Sequence, residues 1–171
     1  MYKPHVSIVV AMAHNNVIGK ENKVPWHITP DLVRFKEKCL NHTVIMGRKT
    51  FESLVGYYDK SGRPLPGRIY IVVTSDPSYG TTRENCLVAH SFEEAIAKAK
   101  EIEPEEVIIG GGGQIFKAGM NYADRLYLTL VDVEVEGGDA FFPDYSAFDK
   151  VRERLDGEYK GTKYSFLTLE K

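Results

Sequence analysis

The chain has 171 residues, 43% of them hydrophobic and 27% charged, which suits one well-buried core and excludes a disordered polypeptide. Its 22 Lys and Arg against 24 Asp and Glu give a formal charge of −2, without the basic footprint that a nucleic-acid partner requires. A small-molecule partner is expected instead. Cys39 and Cys86 stand far apart with no CxxC or Cys/His spacing, so neither a metal site nor a disulfide framework is indicated, and both read as small core hydrophobes. Residues 1–6 lack an apolar stretch behind a basic one and no run is long enough to span a bilayer, so the expected location is cytoplasmic and away from membranes.

Taken in order, Ser7 to Ala13 is a near-continuous apolar run, as in a strand covered on both faces. A polar loop with Asn and Gly runs through Trp26. Thr29 then reads as an N-cap and Pro30 as a first-turn proline, and Leu32, Phe35 and Cys39 follow at helical spacing, giving a helix from near Asp31 to near Asn41. Thr43 to Met46 is a short strand and Arg48 to Val55 a short helix, which runs into the Gly, Asp and Pro-rich segment Gly56 to Pro66. Within it, Lys60 to Gly67 is the candidate for a floppy insertion. Ile69 to Thr74 is β-branched and reads as a central strand.

Ser91 and Glu94 form a capping box for a helix over Phe92 to Ile102. Val107 to Ile109 is a strand that feeds four glycines and another short helix. Arg125 to Val135 and Tyr164 to Leu169 alternate apolar and polar residues, as expected of an antiparallel pair. The predicted class is α/β: a single domain with a central mixed, mostly parallel sheet, an antiparallel C-terminal edge and about four flanking helices.

Three places carry candidate chemistry. The strand–glycine–helix junction Ile108 to Ile115 lets backbone approach a ligand closely and aims helix N–H groups at a phosphate, although a glycine turn with no ligand has the same look. The dinucleotide fingerprint of a βαβ unit is absent there. Gly47-Arg48-Lys49-Thr50 likewise follows a strand and opens a helix; alone it reads as a solvated basic turn, but two such helix starts favour a dinucleotide. Asp31 lies in a first helical turn, where a carboxylate suits the helix dipole. It also borders the face marked by Phe35, where burial would raise its proton affinity and let it bind an amide-bearing heterocycle.

Val17-Ile18-Gly19, Pro25-Trp26, Asp31 to Lys36, Val44 to Ser53, Arg63 to Arg68 and the tetraglycine segment together resemble, in order, the bacterial dihydrofolate reductases. The resemblance covers nearly the whole chain. It implies reduction of 7,8-dihydrofolate to tetrahydrofolate with NADPH, feeding one-carbon metabolism and thymidylate and purine synthesis in a monomeric enzyme. Hydride would reach C6 of the pterin and a proton N5, the latter from water rather than directly from Asp31. Asp31 is similar to the family's pterin-binding carboxylate and Trp26 to the residue that holds an ordered water beside it. Val9, Val10, Leu32, Phe35, Leu54 and Leu65 match positions lining the substrate pocket, Thr129 one that supports the aspartate, and Arg68 one that pairs with the carboxylate of the glutamate tail.

On the cofactor side the resemblance implies Ala11, Ile18, Gly19, Arg48, Lys49, Thr50, Thr74, Ser75 and the segment Gly111, Gly112, Gly113, Gln114 and Ile115, with Arg48 and Ser75 on the 2′-phosphate. The loop Ala13 to Val24 resembles a mobile loop that closes over the nicotinamide, and Asp139 its acidic partner. Four features depart from the pattern. Gly110 stands where an apolar residue is common, or one glycine is inserted, so the carbonyl that meets the pterin belongs to Ile109 or Gly110. Gly137-Gly138 has one glycine more than the pattern, Val55 to Ser61 is longer than in short members, and Gln114 replaces a frequent arginine. Two rival readings are a fold-related pyrimidine reductase of riboflavin synthesis, which has no reason for Trp26, Asp31 and Arg68 together, and a non-catalytic nucleotide-binding module.

Overall fold

The computed structural model describes residues 3–81 and 83–171. The apolar runs become β1 (His5–Met12), β3 (Thr43–Gly47), β4 (Ile69–Val73), β6 (Glu106–Ile109) and β7 (Arg125–Val131), and the amphipathic segments become α1 (Thr29–Cys39), α2 (Arg48–Ser61), α3 (Phe92–Ile102) and α4 (Gly113–Gly119). With β5 (Cys86–Ala89), β9 (Lys150–Tyr159) and β10 (Thr162–Glu170), the strands form one eight-stranded sheet in the order β5-β4-β3-β6-β1-β7-β10-β9. All pairings from β5 to β7 are parallel, and β10 is antiparallel to both β7 and β9. This is the predicted mixed, mostly parallel sheet with an antiparallel C-terminal edge.

Strand alternation divides the apolar residues between two cores. Ile8, Val10, Ile45, Ile71 and Leu128 face the layer that contains α3 and α4. Val9, Val44, Met46, Val72 and Ile108 face the layer that carries Phe35 of α1 and Phe51 and Leu54 of α2. The parallel strands thus read as continuous apolar runs because both faces are covered.

Several boundaries differ from the sequence reading. Thr29 is inside α1 rather than its cap: Ile28 precedes the helix without a side-chain cap, and the Thr29 hydroxyl donates to Tyr159 instead. Helix α2 does not stop at Val55 but runs to Ser61, where Gly62 closes it in the left-handed region. Gly56 faces open space, so it weakens the helix without breaking it. Lys60 to Gly67 is no free insertion, since its first residues end α2 and the Tyr70 hydroxyl donates to the Pro66 carbonyl. Strands β5 and β9 were not anticipated. Inside the supposed loop Ala13 to Val24, β2 (Val17–Gly19) pairs with β8 (Ala140–Phe141).

The predicted cap of α3 is present, with the Ser91 hydroxyl accepting from the Glu94 N–H at 3.1 Å and the Glu94 carboxylate accepting from the His90 N–H at 2.9 Å. Ser91→Ala is expected to cost about 1 kcal/mol, the usual worth of a serine cap, read as a lower urea midpoint with unchanged slope.

Candidate active site

Helix α1 carries Asp31 against the middle of the sheet. The Thr129 hydroxyl, on β7 and 1% exposed as a residue, donates to Asp31 Oδ1 at 2.6 Å. Burial pushes the Asp31 carboxyl above its ordinary pKa, against the opposing pull of the Thr129 hydrogen bond and the Arg34 charge. Arg34, one turn on from Asp31, is a member of this site that sequence reading missed. It is buried, donates to the carbonyls of Leu128 and Leu167 at 3.1 and 3.0 Å, and lies over the Phe166 ring at 4.7 Å. The spacing of three on a helix was the available signal.

Val9 joins Phe35, Leu54 and Leu65 around one core, the last three partly open to solvent, so these four form an apolar wall beside Asp31. Val10 does not share it: its side chain points into the opposite core, and only its backbone can face a ligand on the Asp31 side. Leu32 is 37% exposed, at the rim, and Trp26 is half-buried in the segment ahead of α1.

The two glycine junctions meet. The Gly47 N–H donates to the Gly111 carbonyl at 2.8 Å, which joins the start of α2 to the turn before α4. A Cβ on Gly47 would lie 3.3 Å from Ile115, and one on Gly112 3.1 Å from the Thr50 hydroxyl, so bare backbone allows this approach. The Gly110 N–H donates to the Ile45 carbonyl at 2.9 Å, continuing the β3 ladder, and the Met46 methyl fills the space above Gly110. Gly110 thus extends the pairing one residue beyond β6, and Gly111 and Gly112 make the turn into α4. Ile18 reaches Gly113, while Ile115 is buried in the α3–α4 core and offers only its backbone.

At the far side of this junction Arg48 is held by Glu52 at 2.9 Å and Asp76 at 3.2 Å and lies over Tyr79 at 4.3 Å. Sequence reading had not included these three partners. The Thr74 hydroxyl accepts from the Asp76 N–H, which brings the end of β4 to the same place. Lys49, Ser75 and Gln114 are exposed and Ala11 is half-buried. The loop over this region is fastened as well: the Asp139 N–H donates to the Gly19 carbonyl at 3.1 Å and Asp139 Oδ2 accepts from the Glu21 N–H at 3.0 Å. Asp139 is thus the loop's partner despite the additional glycine.

Arg68 stands at the other end of the strands, immediately before β4, where its Nη2 donates to the Ile102 carbonyl at 2.8 Å and Glu103 at 3.3 Å. The glycine turns lie at the C-terminal ends of β3 and β6, a strand length of about 16 Å away, so one ligand using both places must be elongated. A depression of about 830 Å³ among Met12, His14, Leu130, Tyr145 and Lys163 opens on the opposite sheet face and does not include Asp31. Among the described residues no cluster is placed to hold a metal ion, and no helix is long and apolar enough to cross a membrane.

A family model described as dihydrofolate reductase matches residues 5–171. The type 3 dihydrofolate reductase of Salmonella typhimurium is 45% identical over 140 residues, 82% of this chain and 79% of the relative. The dihydrofolate reductase of Bacillus subtilis strain 168 is 40% identical over 173 residues, covering 97% and 94%. A solved structure of the Enterococcus faecalis dihydrofolate reductase, complexed with NADP(H) and RAB-propyl, superimposes with a TM-score of 0.81 at 35% identity, covering 99% of this chain and 98% of that one.

The burial of Asp31 has a thermodynamic consequence. A carboxyl with a raised folded-state pKa binds more protons folded than unfolded, so stability falls as pH rises from the unfolded value, near 3.8, through the folded one. Asp31→Asn, whose amide oxygen still accepts from Thr129, is expected to raise the thermal midpoint at pH 7 and to lose that advantage below about pH 3. Calorimetry at the two pH values checks it, and an unchanged or lower midpoint at pH 7 contradicts it.

Proposed function

The chain belongs to the dihydrofolate reductase family, and from that premise we propose that it reduces 7,8-dihydrofolate with NADPH in the cleft between α1 and α2. The observation that carries this reading is a half-buried carboxyl, Asp31, anchored from α1 to the sheet by Thr129, on the same sheet that ends in two joined glycine turns. In it the Asp31 carboxyl bonds the 2-amino group and N3 of the pterin, and Thr129 fixes its orientation. Val9, Leu32, Phe35, Leu54 and Leu65 enclose the ring and the benzoyl group. Gly110 lends its carbonyl to the pterin edge.

The residues present fit a nicotinamide dinucleotide phosphate: glycine backbone abuts at Gly47 and Gly111, helix N–H groups start at Arg48, and a cation stands beside Thr74 and Ser75. When bound, that cofactor supplies the hydride. Ala11, Ile18, Gly19 and the turn Gly111 to Gly113 would hold its nicotinamide half, Lys49, Thr50 and the α4 start through Gln114 and Ile115 its phosphates, and Arg48, Thr74 and Ser75 its adenosine 2′-phosphate. The protein's own part is position and electrostatics. The loop clasped by Asp139 limits and admits the water that protonates N5, while Trp26 holds an ordered water beside Asp31, which polarises the ring from its other edge. All of these groups come from one chain, so the proposed working unit is the monomer.

Loss of NADPH absorbance on adding dihydrofolate is the direct test. A pyrimidine reductase would respond to a ribosylated pyrimidine instead, and a binding module would bind NADPH without consuming it. Asp31→Asn is expected to retain NADPH binding and lose turnover by about two orders of magnitude or more. Activity within a few-fold of wild type would remove Asp31 from the mechanism.

Arg48→Ala is expected to raise the KM for NADPH by about tenfold or more and that for NADH far less, because a guanidinium on the 2′-phosphate serves only the former. Steady-state kinetics with both cofactors checks this; equal changes would show that Arg48 does not read the phosphate.

A further inference from the structure

We infer that Glu103 is a positioning residue for substrate: it fixes the Arg68 guanidinium by one nitrogen so that the rest of the group is ready for the carboxylate of the substrate's tail. The inference rests on the reading of Arg68 given above. Glu103 follows α3 and its side chain is only 1% exposed, beneath the N-terminal ends of β3 and β6. Its carboxylate is caged by backbone donors, accepting from the Thr43 N–H at 2.7 Å, the Glu105 N–H at 3.1 Å and the Glu106 N–H at 3.3 Å. His42 Nδ1 lies 3.4 Å away.

Burial opposes this charge, but the N–H groups and the Thr43 hydroxyl outweigh it and hold the carboxyl at about 2, so Glu103 is an anion at any pH where the enzyme works. The cage makes it immobile as well as charged. Arg68 is otherwise a long, half-exposed side chain, and its Nη2 is gathered by Glu103, the Ile102 carbonyl and the Thr43 hydroxyl at 3.3, 2.8 and 3.4 Å. Nε and Nη1 have no partner among the described residues. An arginine tied at Nη2 has given up its rotamer freedom before ligand arrives; both bidentate edges of the group include Nη2, so Nη1 and Nε are left to donate to a carboxylate singly.

A purely structural role, closing the turn between α3 and β6, would affect every substrate alike. The test compares 7,8-dihydrofolate with 7,8-dihydrobiopterin, which lacks the benzoylglutamate tail, in wild type, Glu103→Gln, Arg68→Ala and the double variant. Glu103→Gln is expected to raise the KM for dihydrofolate by about three- to tenfold with kcat kept, to leave dihydrobiopterin kinetics unaltered, and to add nothing in the Arg68→Ala background. If Glu103→Gln does not fold, Glu103→Asp keeps the anion but withdraws it from Arg68, and the same pattern is expected. Equal effects on both substrates, or the full effect persisting without Arg68, would overturn the proposal. If Arg68→Ala itself fails to separate the two substrates, the reading of Arg68 falls and the proposal with it, a result distinct from Arg68→Ala discriminating while Glu103→Gln does not.

Discussion

The hydrogen bond from the Gly47 N–H to the Gly111 carbonyl is the joint on which this site depends. Parallel strands β3 and β6 end side by side, and each must leave the sheet through its own turn. The register Ile45 opposite Ile109 continues through the Gly110 N–H to the Ile45 carbonyl, so the joint is the last rung of the ladder rather than a separate loop contact. A side chain at Gly47 would press on Ile115 and one at Gly111 on Phe116, where φ is also +108°, which is why glycine occupies both sides of the joint.

The acid beside this joint is set by a contest that no single residue decides. Desolvation raises the Asp31 pKa; the Thr129 hydroxyl and the Arg34 charge act against it, and desolvation is the largest effect. Arg34 is itself an expensive buried cation, tolerated because the carbonyls of Leu128 and Leu167 accept its protons and Phe166 covers its face. Those acceptors belong to β7 and β10, the strands where the sheet turns antiparallel. The C-terminal edge therefore supplies acceptors for the buried cation of the active-site helix as well as closing the sheet.

What the sequence disclosed followed from periodicity and punctuation. The runs of β1, β4 and β6, the Ser91 cap and the glycine turn were legible because local physics and tertiary structure agree there. Strand β9 escaped notice because Arg152, Glu153, Arg154 and Asp156 are all exposed, on both faces of an edge strand, where charge discourages further pairing and erases the alternating signal. Helix α2 was shortened in the reading because Gly56 resembles a stop, yet it only faces solvent. Val10 was placed with Val9 by the family resemblance, although neighbours on a strand point to opposite faces. Asp76 beside Arg48 and Glu103 beside Arg68 are distant in sequence, and pairing of that kind leaves no local pattern, whereas Glu52 follows Arg48 at the i, i+4 spacing of a helix.

The two ends of the sheet present different kinds of group, and the strands between them set the distance. At the C-terminal ends bare backbone is presented. At the N-terminal ends lies a charged network in which Glu106 accepts from Ser7 and Tyr127, Arg125 joins Glu106 to Glu170, and Glu103 holds Arg68. Thr43 pairs with Ile69 and Gly47 with Val73, so Arg68 is locked in register with the glycine that opens α2. A slip of one residue would move the arginine by about 3.3 Å along the cleft and turn β4's core residues to the wrong face. The hydrophobic alternation that keeps Ile71 and Val72 in opposite cores thereby also fixes the span between Arg68 and the glycine turns, which in the proposed function sets the length of molecule the cleft reads.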